Sequence, residues 1–521
     1  MTKRWLVALL LMAGSTGACA APLKPADIDL LVTRTMREFQ VPGVAVGIVK
    51  DGKLVFAKGY GVRALGDPDP VDADTVFGIA SNTKAFTTAA LATLVDSGKL
   101  GWNDRVIDHI PKFRMWDSWV TREFTIRDLL THRSGLGLGA GDLLFVTPTD
   151  FTGEDILNAL RYLKPVSSFR SQYDYDNLMY AVAGGVITSV SGKSWEDFVT
   201  ETILQPLHME GCAANANRLP PGAKLAAPHV VSEKHLQKIT PLDIGAIAPA
   251  GAIHCNVRGL GKWVATQLGH GTAPDGTKLF SEKQGNEMWT PQTILHVRGK
   301  RAQMTRTHFQ SYGLGFDLED FEGYERVSHN GGLPGMVTHI SMIPELGLGV
   351  IVLTNQQAGE VLDAVTLPIL ESYTGGAPHD WLAFEKKSRA ELEERIREAD
   401  AKRAPPPAES GWKPSDPEAY AGVYSDPWRG RATVTHNGDQ LRLTFSHTDS
   451  LSGVMTPVGT NLFVVRWDDR TLDADAYVRF STDFGGRIAG FTMAAVSDST
   501  DFSFDFQDLN FTREAQAVAG H

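Results

Sequence analysis

Residues 43–62 read GVAVGIVKDGKLVFAKGYGV, two β-rich runs on either side of Asp51-Gly52. Both turn residues tolerate positive φ, as a two-residue hairpin turn requires, so the stretch predicts a β-hairpin that opens the main domain. Strand patterning returns far downstream, at Val327-Ser-His329, at 338–344 (THISMIP) and at 347–355 (GLGVIVLTN). Helical patterns and Gly-rich loops fill the interval from about residue 125 to 270. Strands at both ends of a long helical middle predict an α+β domain. Its antiparallel sheet is completed by the two ends of the domain, flanked by helices and accompanied by a helical subdomain.

Working outward, residues 81–98 (SNTKAFTTAALATLVDSG) place Phe86, Ala90, Leu91, Leu94 and Val95 at helical spacing, with Ser81 near the start and Gly98 positioned to stop the helix. Gly135, Gly137, Gly139 and Gly141 alternate through a run that follows a helix rather than a strand, and are read as a mobile loop. Residues 386–403 carry both charge signs at high density, and Pro405-Pro406-Pro407 follow, which reads as a solvated helix and a stiff linker. From Tyr420 to Phe511 the chain alternates with period two around turn residues such as Asn437-Gly438, the pattern of a small antiparallel β-barrel or sandwich. The expected organisation is a leader over 1–20, a main domain over 21–384, a charged helix and linker over 385–414, and the β domain over 415–515.

The 521 residues are 42% hydrophobic and 21% charged, with 3 Cys, which excludes a disordered, fibrous or disulfide-scaffold chain. Fifty Lys and Arg against 61 Asp and Glu give a formal charge of -11, which argues against nucleic acid as the main partner. At the N-terminus a basic Lys3-Arg4, an apolar run from Trp5 to Ala13 and the small residues Ala18-Cys19-Ala20 read as a signal peptide cleaved after Ala20. Thr16-Gly-Ala-Cys19 also resembles a bacterial lipoprotein signal, although the usual Leu three residues before the Cys is missing. No later segment reaches the ~20 apolar residues that a membrane span needs, so the expectation is a periplasmic or secreted protein, with anchoring at Cys19 a minor alternative. Cys212 and Cys255 are then either bridged or two buried free thiols.

Zinc-protease, P-loop and α/β-hydrolase signatures are missing. What stands out is Ser81-Asn-Thr-Lys84. On a helix, positions three apart share a face with Cβ atoms about 5–6 Å apart, so the Lys84 amine can reach the Ser81 hydroxyl. A neutral lysine can take the serine proton if burial or nearby positive charge brings its pKa down from about 10.4 towards neutrality. The spacing recurs at Ser410-Gly-Trp-Lys413, outside any predicted helix. Tyr175-Asp-Asn177 is a second element: a phenol near a lysine can ionise and act as general base, and Asn177 can orient substrate and hold Lys84. A third is His329-Asn330-Gly331-Gly332 on a predicted strand, where the imidazole offers a proton relay or an anion contact and the glycines admit substrate to the backbone. His436-Asn437-Gly438 repeats its opening, but as a hairpin turn. Taken singly, each element has an ordinary structural explanation; their joint occurrence in suitable contexts points to catalysis.

These three elements, with the phrases DLLTHRSGL (128–136), APAGAI (248–253) and GGLPG (331–335), resemble the serine β-lactamase and penicillin-binding-protein superfamily. The resemblance is to the branch of class C β-lactamases, family VIII carboxylesterases, D-aminopeptidases and DD-carboxypeptidases, over residues 25–380. The β domain is similar to the lipocalin-like modules appended to such hydrolases. The resemblance implies Ser81 as acylated nucleophile and Lys84 and Tyr175 as proton carriers, either of which could be the acylation base. It also implies Asn177 as substrate-orienting residue, and the backbone N–H groups of Ser81 and Gly332 as oxyanion hole beside Gly331. His329 stands where the family's K-T-G motif has Lys, which weakens a β-lactam or peptide-carboxylate reading and favours esters or amides. The expectation is a serine hydrolase that uses no metal and no organic cofactor, acting on a small molecule or peptide. The rival is a catalytically silent scaffold that binds cell-wall peptide or a protein partner.

Overall fold

The computed structural model of the chain describes residues 21–403 and 416–515. The leader with Cys19, the three prolines and the second Ser-x-x-Lys lie outside the described residues.

The predicted hairpin is present as β1 (Gly43–Lys50) and β2 (Lys53–Gly61), and its turn residues Asp51 and Gly52 have φ of 50° and 74°. Six more strands follow: β3 (Thr293–Leu295), β4 (Gln310–Tyr312), β5 (Asp317–Phe321), β6 (Tyr324–Leu333), β7 (Met336–Ile343) and β8 (Leu348–Thr354). They form one antiparallel sheet in the order β2-β1-β8-β7-β6-β5-β4-β3. The first hairpin forms one edge of the sheet and its inner strand pairs with the last strand, with Val44 opposite Thr354 and Ile48 opposite Val350. The sheet is thus closed by residues some 300 apart in sequence, as its split strand patterning predicts.

Because side chains alternate across a strand, β1 feeds two cores. Val44, Val46 and Ile48 join one cluster with Ile28 and Val32 of α1 (Pro25–Phe39) and with Val361 and Val365 farther along the chain. Ala45 and Val49 join the other, which holds Phe86, Val257 and Trp263. The helix predicted from Ser81 begins as a 3₁₀ turn, Ala80–Asn82, and continues as α2 (Thr83–Asp96). Residues 83–92 of α2 are buried on every side, so it is the central helix of the domain rather than an amphipathic surface helix. It packs against α3 (Leu178–Ser191) and α4 (Val257–Leu268), with Phe86 stacked on Trp263 at 3.9 Å. On the opposite face of the sheet lies α5 (Glu360–Thr374), and α6 (Trp381–Arg403) is the charged helix read from the sequence.

Beyond it, eight strands from Gly422–Asp426 to Asn510–Arg513 close into an antiparallel barrel, the first pairing with the last through Tyr424 and Arg513. Tyr420, Tyr424, Phe463, Phe480, Phe491 and Phe511 pack there, largely edge-to-face.

The glycine run 135–141 departs from expectation. Gly135, Gly139 and Gly141 are buried, and the run is tied to the barrel: Asp505 accepts hydrogen bonds from the backbone N–H of Gly141 at 2.6 Å and of Leu143 at 2.9 Å. A Cβ at Gly139 would stand 2.7 Å from the Phe502 ring, so this glycine is required by close packing and not by motion.

Cys212 and Cys255 are bridged, across a sequence separation of 43. The bridge anchors a segment that runs beside the approach to Ser81: Phe77 and Gly78 pair with Cys255 and His254, and the Ile79 N–H donates to the Ile253 carbonyl at 2.9 Å. A cross-link over this separation contributes about 4 kcal/mol in the chain-entropy model. Replacing both cysteines by serine should therefore lower the unfolding free energy by up to about 4 kcal/mol, read as a lower urea midpoint, with a slope equal to or above that of the bridged protein because the freed unfolded chain exposes more surface. An unchanged midpoint would show that the bridge leaves the unfolded ensemble unconstrained.

Candidate active site

Ser81 sits on the 3₁₀ turn ahead of α2, directly after Ala80, which has φ 49°. A left-handed alanine is disfavoured and persists only where its surroundings hold it. Here the Thr338 hydroxyl donates to the Ile79 carbonyl and accepts from the Asn82 amide, both at 2.9 Å, tying the turn to β7. Strand β6 passes so close that a Cβ on Gly331 would lie 2.4 Å from the Ile79 carbonyl oxygen. Gly332, next along, faces open space.

One turn on, the Lys84 side chain is fully buried. Its Nζ lies 2.9 Å from Ser81 Oγ, 2.7 Å from Asn177 Oδ1 and 3.1 Å from the Ala250 carbonyl. The Tyr175 and Tyr180 rings lie 4.7 and 5.2 Å from it. Burial brings the Lys84 pKa down to about 7, against the opposing pull of Asp142 and Asp176. In the neutral form, two N–H bonds satisfy Asn177 and Ala250, and the lone pair is left for the Ser81 hydroxyl proton.

Asn177, at the head of α3, donates through Nδ2 to Asp142 Oδ2 at 2.9 Å. Tyr175 stacks on His132 with ring centroids 4.1 Å apart. Burial pushes its phenol well above the usual tyrosine range, an effect that a hydrogen bond with Ser81 only partly offsets. A Tyr175 phenolate, one of the two bases the sequence leaves open, is therefore disfavoured by burial.

His329 lies on β6 as predicted, but neither ring nitrogen is free. Nδ1 faces the Asn330 carbonyl, so it carries the proton, and Nε2 accepts from the Tyr312 hydroxyl at 2.9 Å. Burial first, and the charge of Lys84 second, lower its pKa to about 3, which keeps it neutral. The ring expected to offer a proton relay or an anion contact is thus held internally by Asn330 and Tyr312, and it reaches the cavity as a neutral group.

Ser81, Tyr175, Asn177, His329, Gly331 and Gly332 all line one cavity of about 900 Å³. Four residues join the site without having been singled out in the sequence. His132 and Tyr180 complete the aromatic surround of Lys84, Tyr312 holds His329, and Asp142 holds Asn177. His132 belongs to the 128–136 phrase, so a signal existed for it. That phrase is braced by Asp128, fully buried, which accepts from Arg133 at 3.1 Å and from Arg170 at 2.9 and 2.6 Å.

Comparison with known proteins bears on the family and the fold. The β-lactamase family model matches residues 28–374, and one described only as a domain of unknown function (DUF3471) matches residues 407–513. An unguisins hydrolase of Aspergillus campestris is 27% identical over 471 residues, covering 85% of this chain and 84% of its own length. The flp protein of Staphylococcus aureus is 26% identical over 345 residues, 63% of this chain, which spans only 62% of that relative. Two solved structures share the fold. A penicillin-binding-protein homologue from Pyrococcus abyssi aligns over 90% of this chain and 98% of its own at TM-score 0.61 and 22% identity. SurE aligns over 94% of this chain and 98% of its own at 0.54 and 19%. With the first family model spanning most of the chain and a relative named as a hydrolase matching along nearly its whole length, the chain belongs to the β-lactamase family of serine hydrolases.

Proposed function

We propose that this protein is an exported hydrolase that cleaves an ester or amide through an acyl-serine intermediate, with Ser81 as nucleophile and Lys84 as the base for acylation. The observation that carries the reading is the desolvated Lys84 amine, 2.9 Å from Ser81 Oγ and held by two acceptors that use up its N–H bonds. Ser81 passes its proton to the Nζ lone pair as Oγ attacks the substrate carbonyl carbon. The oxyanion so formed is received by the backbone N–H groups of Ser81 and Gly332. Tyr175, kept protonated by burial, gives its proton to the departing alkoxide or amine as the scissile bond breaks and regains one from the Lys84 ammonium; water then adds to the acyl carbon, its proton passing to neutral Lys84 and on to Ser81 Oγ as the acyl–oxygen bond breaks.

The substrate is read from charge. His329 is neutral, and the Arg301 guanidinium at the cavity wall is already paired with Asp363 at 2.5 Å and with Glu385. Among the described lining residues the other cation is Lys238, which is solvent-exposed, so no buried cation stands unpaired at the wall; this suits an uncharged acyl group better than a carboxylate, and a neutral ester, amide or peptide bond fits best. The near-full-length relative named for hydrolysing unguisins is consistent with such a substrate. Export rests on the leader sequence. Among the described residues no helix is long and apolar enough to cross a membrane.

Ser81→Ala should abolish turnover of p-nitrophenyl butyrate and covalent labelling by a fluorophosphonate probe. Turnover at the wild-type rate would remove Ser81 from the mechanism. Because only neutral Lys84 accepts a proton, kcat/KM should fall as pH drops below about 7. A rate that stays flat down to pH 5 would exclude Lys84 as the base. Tyr175→Phe should leave that limb in place while reducing kcat by about 10²-fold, and a limb that disappears with the phenol would make Tyr175 the base.

A further inference from the structure

The cavity is lined not only by the main domain but by Phe502 and Ser503, from a loop of the C-terminal barrel. Phe502 meets the Tyr175 ring edge-on, with centroids 6.3 Å apart. Asp505, buried, clamps the backbone of Gly141 and Leu143, and so fixes where Asp142 stands. The Ser503 hydroxyl donates to Asp142 Oδ2 at 2.9 Å. The same oxygen accepts from Asn177 Nδ2 at 2.9 Å, and Asn177 Oδ1 accepts from Lys84 Nζ at 2.7 Å.

We propose that Ser503 of the barrel is a positioning residue for the Lys84 amine, acting through the carboxyl of Asp142 and the amide of Asn177. The inference rests on the hydrolase reading above. An amide can turn over and present Nδ2 where Oδ1 belongs, and a donor facing Lys84 would turn its lone pair away from Ser81. Asp142 prevents this by offering Asn177 an acceptor, but the carboxyl is itself lightly held. Its Oδ1 has no hydrogen-bond partner, so Ser503 and Asn177 are its two tethers. Removing the hydroxyl leaves one.

The hydroxyl also affects charge. Asp142 faces Asp505, Asp176 and, through Asn177, Lys84; Tyr175, Tyr180, His132 and His329 complete the ring around the amine. Burial and Asp505 drive Asp142 towards its neutral form, while the Ser503 hydrogen bond favours the charged one. Without that bond Asp142 carries less negative charge and holds the proton on Lys84 less firmly, so the acid limb moves to lower pH.

The test uses the full chain and p-nitrophenyl butyrate, with thermal melts on every variant. Ser503→Ala should lower kcat about tenfold, with KM within about twofold, and move the acid limb to lower pH. Ser503→Cys, nearly isosteric and a weak donor, should melt as the wild type does and show a loss of the same order. Ser503→Thr, which keeps the hydroxyl, should restore kcat to within about threefold of wild type. Wild-type kcat and pH profile in the Ala and Cys variants would overturn the proposal and leave the hydrolase reading intact. So would a loss that follows the melting temperature and is not rescued by threonine. A wild-type protein that neither turns over the ester nor labels at Ser81 would overturn both.

Discussion

The constraint on which the rest depends is the burial of one lysine amine. Charged, Lys84 would carry a desolvation cost of several kcal/mol; neutral, it is an effective base one hydrogen bond away from a hydroxyl. The environment selects the neutral form by excluding water while supplying the two acceptors its N–H bonds require. Features remote from chemistry serve that enclosure. α2 is buried all round, so its first turn projects into the interior. The disulfide pins the strand beside Ile253, which continues from the segment that supplies the Ala250 carbonyl. A side chain at position 331 would push β6 off the serine turn.

Electrostatics makes the enclosure matter more here than in the pattern the sequence resembles. A lysine in the third motif would place a second positive charge near Lys84 and depress its pKa through space. This protein has a neutral His329 there, and the carboxylates that act on the amine, Asp142 and Asp176, both pull the other way. Desolvation alone therefore keeps Lys84 near neutrality, and anything that lets water in returns the proton. This gives a physical reason for the barrel to press against the site. Phe502 covers the Tyr175 edge, and Asp505 fastens the glycine run behind Asn177.

What was legible in the sequence follows from range. The hairpin at Asp51-Gly52, the helix after Ser81 and the barrel strands are written in local turn chemistry and periodicity. The grouping of Ser81, Lys84, Tyr175 and Asn177 was legible through motif order, and their side chains do meet. Tyr180, Tyr312 and Asp142 were not, because a tyrosine in a buried helix or strand and an aspartate in a glycine run have no periodic mark that separates function from packing. Ser503 lies 361 residues from Asp142, and no spacing rule reaches that far. Gly135 to Gly141 illustrates the ambiguity of glycine. The same composition serves a loop that moves and one pressed so tightly by Phe502 and Leu178 that a Cβ has no room.

The charge states of Tyr175 and His329 depend on something a sequence does not carry. Sequence shows neighbours along a motif but not the depth at which they sit, and at these depths hydration decides. A phenol beside an ammonium in water would be acidified; the Tyr175 phenol, stacked on His132 at the cavity wall, is held above the usual range because partial burial disfavours the phenolate more than the Ser81 hydrogen bond favours it. An imidazole on an open strand would titrate near neutrality, but one held between the Asn330 carbonyl and the Tyr312 hydroxyl has a fixed tautomer, and burial disfavours a second proton. Burial thus assigns a consistent set of states: a lysine that can accept a proton, a tyrosine that can give one, and a histidine that does neither. A serine can be activated and a leaving group protonated within this set without any net charge being brought into the cavity, which is the condition a neutral acyl substrate requires.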